Sequence, residues 1–210
     1  MQPDESYAKA GSLWQNRDYL YLTTGETVST LGGGVASFAL PLVILTLTGS
    51  ALSAGVVAMA SMVGNLSASV VVGGWVDAHS RRAAMASALA VRTISWFGLV
   101  ALVVSSSVNV PIFACVGFIG GAAAALYRAA EAGALKVLIS KDQFPSAISA
   151  IEGRHAAADL AGGPLGAFLL GISLSLPFLF NAVSFLGSLL GILAIKGKSR
   201  SSAAYQKAKV

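Results

Sequence analysis

In the stretch Gly73-Gly74-Trp75-Val76-Asp77-Ala78-His79-Ser80-Arg81-Arg82, one acid and two arginines lie between two long apolar runs. The whole chain has 210 residues, of which 55% are hydrophobic and only 11% are charged. Its mean hydropathy is +0.74. A soluble domain of this size cannot bury so much apolar surface, so the sequence predicts an integral membrane protein. The polar stretch then predicts a tight turn between two membrane-spanning helices.

Six uncharged or weakly charged blocks are each long enough to cross roughly 30 Å of hydrocarbon, which takes about 20 helical residues. The predicted spans are 19–47, 51–76, 83–105, 110–130, 154–173 and 176–195. The fold class is therefore an all-α membrane protein with a bundle of six transmembrane helices. We divide the chain into a cytoplasmic N-terminal tail over 1–18, a transmembrane domain over 19–195 and a basic tail or linker over 196–210.

The basic residues predict the orientation of the bundle. Of the 14 lysines and arginines, all but Arg92 fall in the two tails, the second-to-third connection and the region between the fourth and fifth spans. The other three connections contain none. Because Lys and Arg are retained on the cytoplasmic side, both termini are predicted to be cytoplasmic in an inner or plasma membrane. The net charge of +5 therefore reflects contact with the lipid bilayer and does not indicate nucleic acid.

Catalytic and cofactor motifs are not apparent in the sequence. Cys115 is the single cysteine, so no disulfide or thiol metal site is expected. His155 has no second metal-type ligand spaced with it. The run Gly32-Gly33-Gly34 lies inside a predicted membrane helix and does not follow a strand, so it is not a phosphate loop. We expect neither an enzyme nor a bound metal or cofactor.

Three ionisable residues fall inside predicted spans, where a charge costs at least about 2.5 kcal/mol by insertion scales and usually marks function. They are Glu26 in the first span, Arg92 in the third and Asp159 in the fifth. All three are candidates for proton coupling or substrate contact, and Glu26 is the strongest. The alternative is structural, with Glu26 paired to Arg92, or Asp159 paired to a neighbouring base.

Two further side chains are candidate members of a charge cluster. Arg128 and Glu131 are three residues apart at the end of the fourth span, so they share a helical face and are expected to pair. Either is also able to meet Asp77 or Arg81 across the second-to-third connection. The alternative for Arg128 is a side chain that reaches from a helix end towards water. Asp77 itself is expected to cap the third helix.

Glycine and proline patterns predict close packing and one bend. Gly163 precedes Pro164 in the fifth span, and a proline inside a helix removes a backbone hydrogen bond and bends the helix. Small residues four apart permit close helix contact, and this spacing occurs at two pairs, Gly162 with Gly166 and Gly187 with Gly191. Gly73 and Gly74 are expected to allow the same at the end of the second span.

The pattern Gly73-x-x-x-Asp77-x-x-x-Arg81-Arg82 resembles the signature loop of the major facilitator superfamily, with Ser80 where the family usually has glycine. Two further patterns look like the exporter branch that includes drug and siderophore efflux proteins. They are Ser29-x-x-Gly32 with Ala39-Leu40-Pro41, and Gly162-Gly163-Pro164-x-Gly166. The resemblance covers nearly the whole chain. It corresponds to the N-terminal half of a twelve-span transporter, in which two three-helix units form an inverted repeat.

The resemblance implies roles for several residues. Gly73, Asp77, Arg81 and Arg82 are expected to form a gate that locks two halves together on the cytoplasmic side. The bend at Gly163 and Pro164 is expected at the interface between halves. The first and fourth helices are expected to line the central cavity, the second and fifth to face the other half, and the third and sixth to be peripheral.

The function that follows is half of a secondary active transporter. We expect proton-coupled efflux of a small amphipathic compound by alternating access. The expected partners are a small-molecule substrate, protons, lipid and a second six-helix half, supplied by a homodimer or a separate chain. The alternative is a truncated or regulatory membrane protein that does not transport and that pairs with another half.

Overall fold

The computed structural model describes residues 17–78, 80–105, 109–138 and 144–194, although some side chains within these ranges lie outside the description. This part of the chain forms only helices and contains no strand. The helices are α1 (Arg17–Thr48), α2 (Ala51–Ala78), α3 (Arg81–Val104), α4 (Val110–Leu138), α5 (Phe144–Ile172) and α6 (Leu176–Ala194). Each contains a segment long and apolar enough to cross a membrane. The predicted fold class is therefore confirmed.

Helices α4 and α5 extend beyond the spans that hydropathy predicts. α4 continues to Leu138, and α5 begins at Phe144 rather than near residue 154. Pro145 follows the first residue of α5, a position where the missing backbone N–H breaks no helical hydrogen bond. Arg154, which the sequence placed at the edge of the fifth span, consequently lies well inside α5.

A serine caps α3, and the prediction that Asp77 does so is wrong. Asp77 belongs to α2, which ends at Ala78. Ser80 has extended backbone angles, and its Oγ accepts a hydrogen bond from the backbone N–H of Ala83 at 3.3 Å. The cap must directly precede the first helical residue, and that residue is Arg81. The serine that replaces the family's usual glycine thus satisfies a free backbone amide.

The helices reverse through short connections at the end of the bundle opposite to Ser80. Gly49 follows α1 with φ of +65°, a left-handed conformation that favours glycine. Its N–H donates to the carbonyl of Leu45 at 2.8 Å, which closes the helix. Ser50 Oγ accepts from the Ser53 N–H at 3.2 Å. Asn109 Oδ1 accepts from the Ile112 N–H at 3.3 Å.

We call the end of the bundle at which α1, α3 and α5 begin the basic end. Two apolar cores occupy different depths between it and the opposite end. The core near the opposite end includes Val43, Val57, Leu99, Phe113 and Phe178. The core near the basic end includes Ala84, Leu89, Tyr127, Phe185 and Ile192. Both combine residues from several helices, so the six helices pack as one bundle.

Consecutive glycines in α1 face three different surroundings. A Cβ on Gly32 would lie 2.9 Å from Oδ1 of Asn181 on α6. A Cβ on Gly34 would lie 3.0 Å from the carbonyl carbon of Ala158 on α5. A Cβ on Gly33 would meet only Nη2 of Arg92, at 4.0 Å. Gly32 and Gly34 therefore allow close contact with two neighbouring helices, and Gly33 faces open space.

The predicted close packing of small residues is confirmed for one pair. A Cβ on Gly162 would lie 2.5 Å from the carbonyl carbon of Gly34, and one on Gly166 would lie 2.9 Å from Cδ1 of Phe38. α1 and α5 therefore cross at close range. For Gly187 and Gly191 the prediction is wrong within the described residues, because a Cβ on either of them would meet nothing within 4 Å. A Cβ on Gly74 would also meet nothing within 4 Å among the described residues, so close approach there to a helix of another half stays a prediction. These three face outward from the bundle.

The Gly163-Pro164 pair lies within a helix that does not end there. Pro164 is inside α5, and the helix continues to Ile172. Pro41 lies inside α1 in the same way. The predicted bend of α5 at Gly163 and Pro164 stays a prediction.

Candidate functional site

A buried charge cluster joins three helices. Nη1 of Arg154 on α5 lies 3.2 Å from Oε2 of Glu26 on α1. Nη2 of the same arginine donates to Oε1 of Glu131 on α4 at 3.0 Å. Only 10% of the Arg154 side chain is exposed, against 13% for Glu26 and 11% for Glu131. One guanidinium therefore holds two carboxylates in a site that is largely withdrawn from solvent.

The helix lengths explain why these residues meet. α1 and α5 both run away from the basic end, and α4 runs towards it. Glu26 and Arg154 lie about three turns after their helices begin, and Glu131 lies about two turns before α4 ends. All three therefore lie at a similar depth in the bundle.

The cluster carries more acid than base. With every group ionised, two carboxylates and one guanidinium leave one excess negative charge. Oε1 of Glu26 is buried and has no hydrogen-bond partner within the described residues. The phenol of Tyr127 lies beside the Glu26 carboxylate. A buried carboxylate with a free oxygen is a group to which a proton can add.

Two predicted pairings are wrong. Glu26 pairs with Arg154 and not with Arg92. Arg128 does not pair with Glu131, because its Nη2 donates to Oδ1 of Asn65 on α2 at 2.7 Å. Asn65 in turn donates to the carbonyl of Gly121 at 3.2 Å, so its amide is fixed by α4. Arg128 and Glu131 thus serve different surroundings, the first beside α2 and the second beside α1 and α5.

A cavity of about 490 Å³ lies between α1, α2, α3 and α4. The prediction from the resemblance named only the first and fourth helices as lining helices, so α2 and α3 add to it. Gly33 and Ser37 contribute from α1, and Ser61 and Asn65 contribute from α2. Ser37, Ser61 and Asn65 therefore contribute polar side chains to the cavity wall.

Arg92 of α3 lines this cavity, although the resemblance predicted that the third helix is peripheral. Its guanidinium carbon lies 3.9 Å from the ring centroid of Phe185 on α6, a cation–π contact. Its Nε is buried and has no hydrogen-bond partner in the part of the chain described. Arg128 also lines the cavity. Arg92 thus places a positive charge on the α3 side of the cavity, and Arg128 places one on the α4 side.

The structure describes only part of the motif that is predicted to form a gate. Nε and Nη2 of Arg82 donate to the carbonyls of Ile192 and Leu193 at 3.2 and 3.0 Å. These carbonyls are in the last turn of α6, where no helical N–H remains to satisfy them. Arg82 therefore ties the start of α3 to the end of α6. Predictions for the side chains of Gly73, Asp77 and Arg81 lie outside the described residues.

Asp159 does not belong to the charge cluster. Its side chain is exposed on α5, inside the apolar segment Ile148–Ile172. The predicted ion pair of Asp159 with a neighbouring base is absent from the described residues, in which Arg154 forms both ion pairs. The same residues hold no group of three or more His, Cys, Asp or Glu that suits a metal ion.

Three residues of the site were not predicted to act. Arg154 was counted only as an orientation signal, and Asn65 and Tyr127 carried no sequence signal of their own. A comparison of depths would have found Arg154, since its distance from the basic end matches that of Glu26. Asn65 depends on the packing of α2 against α4, which the sequence does not specify.

Six membrane-length helices, four of which border a cavity, define a multi-pass membrane protein with the architecture of a transporter half. The sequence matches the Major Facilitator Superfamily over residues 22–209. The chain belongs to this family, whose members are transporters rather than enzymes. No curated protein matches the chain.

Proposed function

We propose that this chain is half of a proton-coupled transporter that exports a small amphipathic compound by alternating access. The family supplies the transporter class and favours it over the non-transporting alternative. The observation that supports proton coupling is the sharing of Arg154 by Glu26 and Glu131. The outward direction rests on the exporter-like patterns in the first and fifth helices.

Charge balance gives the coupling its physical basis. A buried charge without a counter-charge is costly. The cluster is therefore most stable when one of the two carboxylates is protonated, because its net charge is then zero. Protonation of Glu26 removes its ion pair with Arg154 and leaves the arginine to Glu131. That change weakens the charged contact between α1 and α5 without loss of the contact between α4 and α5. A proton thus changes which helices are held together, and a population shift follows.

The gate belongs to the same proposal. Arg82 binds the end of α6, so movement of α3 at the basic end must move or release α6. Asp77 and Arg81, with Gly73, are proposed to complete a contact with the second half. Gly163 and Pro164 are proposed to let α5 bend during the same movement.

A second six-helix half is proposed to cover α2 and α5. Only 11% and 17% of their apolar segments are buried in this chain, against 44% for α1 and α6. Exposed apolar side chains alone suit lipid equally well. The exposed carboxylate of Asp159 within the apolar segment of α5 does not suit contact with lipid, because a charge facing hydrocarbon is costly. A homodimer or a separate chain would cover this face with protein and water.

Proteoliposomes that contain the purified full-length chain provide the test. An imposed pH gradient with an entrapped pH-sensitive dye reports proton flux as small amphipathic compounds are added one at a time. We expect at least one compound to increase proton flux, and Glu26→Gln to abolish this flux while downhill movement of the compound continues. Glu152→Gln is the matched control, because Glu152 is an exposed acid on α5. Wild-type proton flux in Glu26→Gln would overturn the coupling role.

Native mass spectrometry of the same preparation tests the second half. A dimer, or a complex with a second six-helix chain from the same membrane, is expected. A chain that is monomeric in native mass spectrometry and still transports in the proteoliposomes would contradict the proposed pairing.

A further inference from the structure

The charge that lines the cavity is of one sign. Arg92 and Arg128 are the ionisable residues among the described lining residues, and no acid accompanies them. Arg128 is also a like-charged neighbour of Arg92. Like charges repel each other. An anion bound between them would convert this repulsion into attraction.

Neither arginine forms an ion pair with a residue that the structure describes. The described ion pairs involve Arg154 only. Arg92 contacts the ring of Phe185, and its Nε has no partner in the described residues. Arg128 donates one hydrogen bond to the neutral amide of Asn65. A guanidinium has five N–H donors, so most of the donors of both groups are available to a ligand.

The part of the cavity wall that lies away from the basic end of the bundle is lined by apolar side chains. Trp96 and Leu99 follow Arg92 along α3, and Leu40 and Pro41 face them from α1. Trp96 is held by stacking on Phe178, with 5.7 Å between ring centroids. A volume of about 490 Å³ suits one small molecule. The cavity thus has a cationic end and an apolar end.

We propose that this cavity binds an anionic amphipathic compound. Its acidic headgroup, a carboxylate, sulfonate or phosphate, lies between Arg92 and Arg128. Its apolar body lies against Trp96 and Leu99. This inference rests on the proposed transport function, because it names the charge class of the transported compound.

Calorimetric titration of the full-length chain in nanodiscs of zwitterionic lipid tests the charge preference. The probes are naphthalene-2-sulfonate and its neutral analogue naphthalene-2-sulfonamide, and empty nanodiscs give the background. The wild type is expected to bind the sulfonate about tenfold more tightly or better, because charge-assisted hydrogen bonds are the stronger ones. Arg92→Gln and Arg128→Gln should each remove most of this preference, because each weakens sulfonate binding much more than sulfonamide binding. Lys209→Gln, which removes one positive charge from the C-terminal tail, should bind both probes as the wild type does.

The sulfonamide reports on folding, so lost sulfonate binding with retained sulfonamide binding is specific to charge. Arg128→Gln serves as the safer variant, because Arg128 is exposed and its single described hydrogen bond is to Asn65. Equal affinity for the two probes, no sulfonate binding, or wild-type preference in both variants would overturn the proposal. Glu26→Gln should still bind the sulfonate more tightly than the sulfonamide, since Glu26 does not line the cavity. If Glu26→Gln loses proton flux but the wild type shows no preference for the sulfonate, this inference alone is refuted. If the wild type prefers the sulfonate but Glu26→Gln keeps its proton flux, only proton coupling is refuted.

Discussion

Nη1 of Arg154 on α5 lies 3.2 Å from Oε2 of Glu26 on α1. The close crossing of the same two helices, where Gly34 faces Gly162, lies about two turns further along both of them. A tight backbone crossing holds the two side chains at a fixed spacing, so the ion pair depends on helix position. That dependence makes the pair suited to sense a movement of α1 against α5.

Removal of Arg154 should destabilise the bundle strongly. Arg154→Met leaves two buried carboxylates without a cation, and breaking a buried pair in this way costs about 3 kcal/mol or more. The triple variant that adds Glu26→Gln and Glu131→Gln should recover most of that loss, because no uncompensated charge remains. Unfolding in detergent as a function of denaturant measures the difference. A loss below about 1 kcal/mol for Arg154→Met would show that the cluster contributes little to stability.

Arg82→Gln should loosen the end of α6. The variant removes charge-assisted hydrogen bonds to the carbonyls of Ile192 and Leu193. The first bond is part-buried and the second is exposed to solvent, which limits the cost to about 1 kcal/mol. Hydrogen exchange of the backbone amides in the last turns of α6 should become faster, while exchange in α4 stays the same. Arg82→Lys keeps the charge but not the paired donors and should show an intermediate effect. Unchanged exchange in α6 would mean that Arg82 does not hold this helix end.

Gly162→Ala should disrupt the crossing of α1 and α5, whereas Gly187→Ala should not. A Cβ at residue 162 would lie 2.5 Å from the backbone of Gly34, but one at residue 187 would meet nothing within 4 Å. Alanine is otherwise favoured over glycine in a helix by about 1 kcal/mol. We therefore expect a lower melting temperature for Gly162→Ala and an equal or higher one for Gly187→Ala. Similar melting temperatures below wild type for both variants would contradict the close crossing.

Ser80→Ala and Ser80→Gly should differ in stability. Alanine at a helix N-cap costs about 1 kcal/mol, and glycine costs only a few tenths. The family's usual glycine at this position should therefore be tolerated, with α3 still beginning at Arg81. Chemical denaturation of the two variants measures the difference. If alanine proved as stable as serine, the hydrogen bond from Ala83 to Ser80 would not contribute to the start of α3.

The sequence predicted the elements better than the contacts between them. Apolar runs and the placement of basic residues gave six helices, because crossing a bilayer demands length and hydrophobicity at each span. Hydropathy placed the start of the fifth span near Arg154, since the preceding turns carry polar side chains. The helix begins ten residues earlier, at Phe144.

The site was predicted in part. Glu26 was selected because an acid within a span is costly, but its partner was misjudged. Arg128 and Glu131 have the spacing of a helical pair, which contributes only about 0.2 to 0.5 kcal/mol. Asn65 and Arg154 offer these two side chains better-placed partners on other helices, so tertiary packing overrides the local pair. Local spacing does not reveal which helices become neighbours.

Infrared difference spectroscopy of the full-length chain in nanodiscs tests the proposed role of Glu26 most directly, because it needs no substrate. A change of pH should produce a band of a protonated carboxyl group. This band should be absent in Glu26→Gln and retained in Glu152→Gln. A difference spectrum of Glu26→Gln that is identical to that of the wild type would contradict proton binding by Glu26.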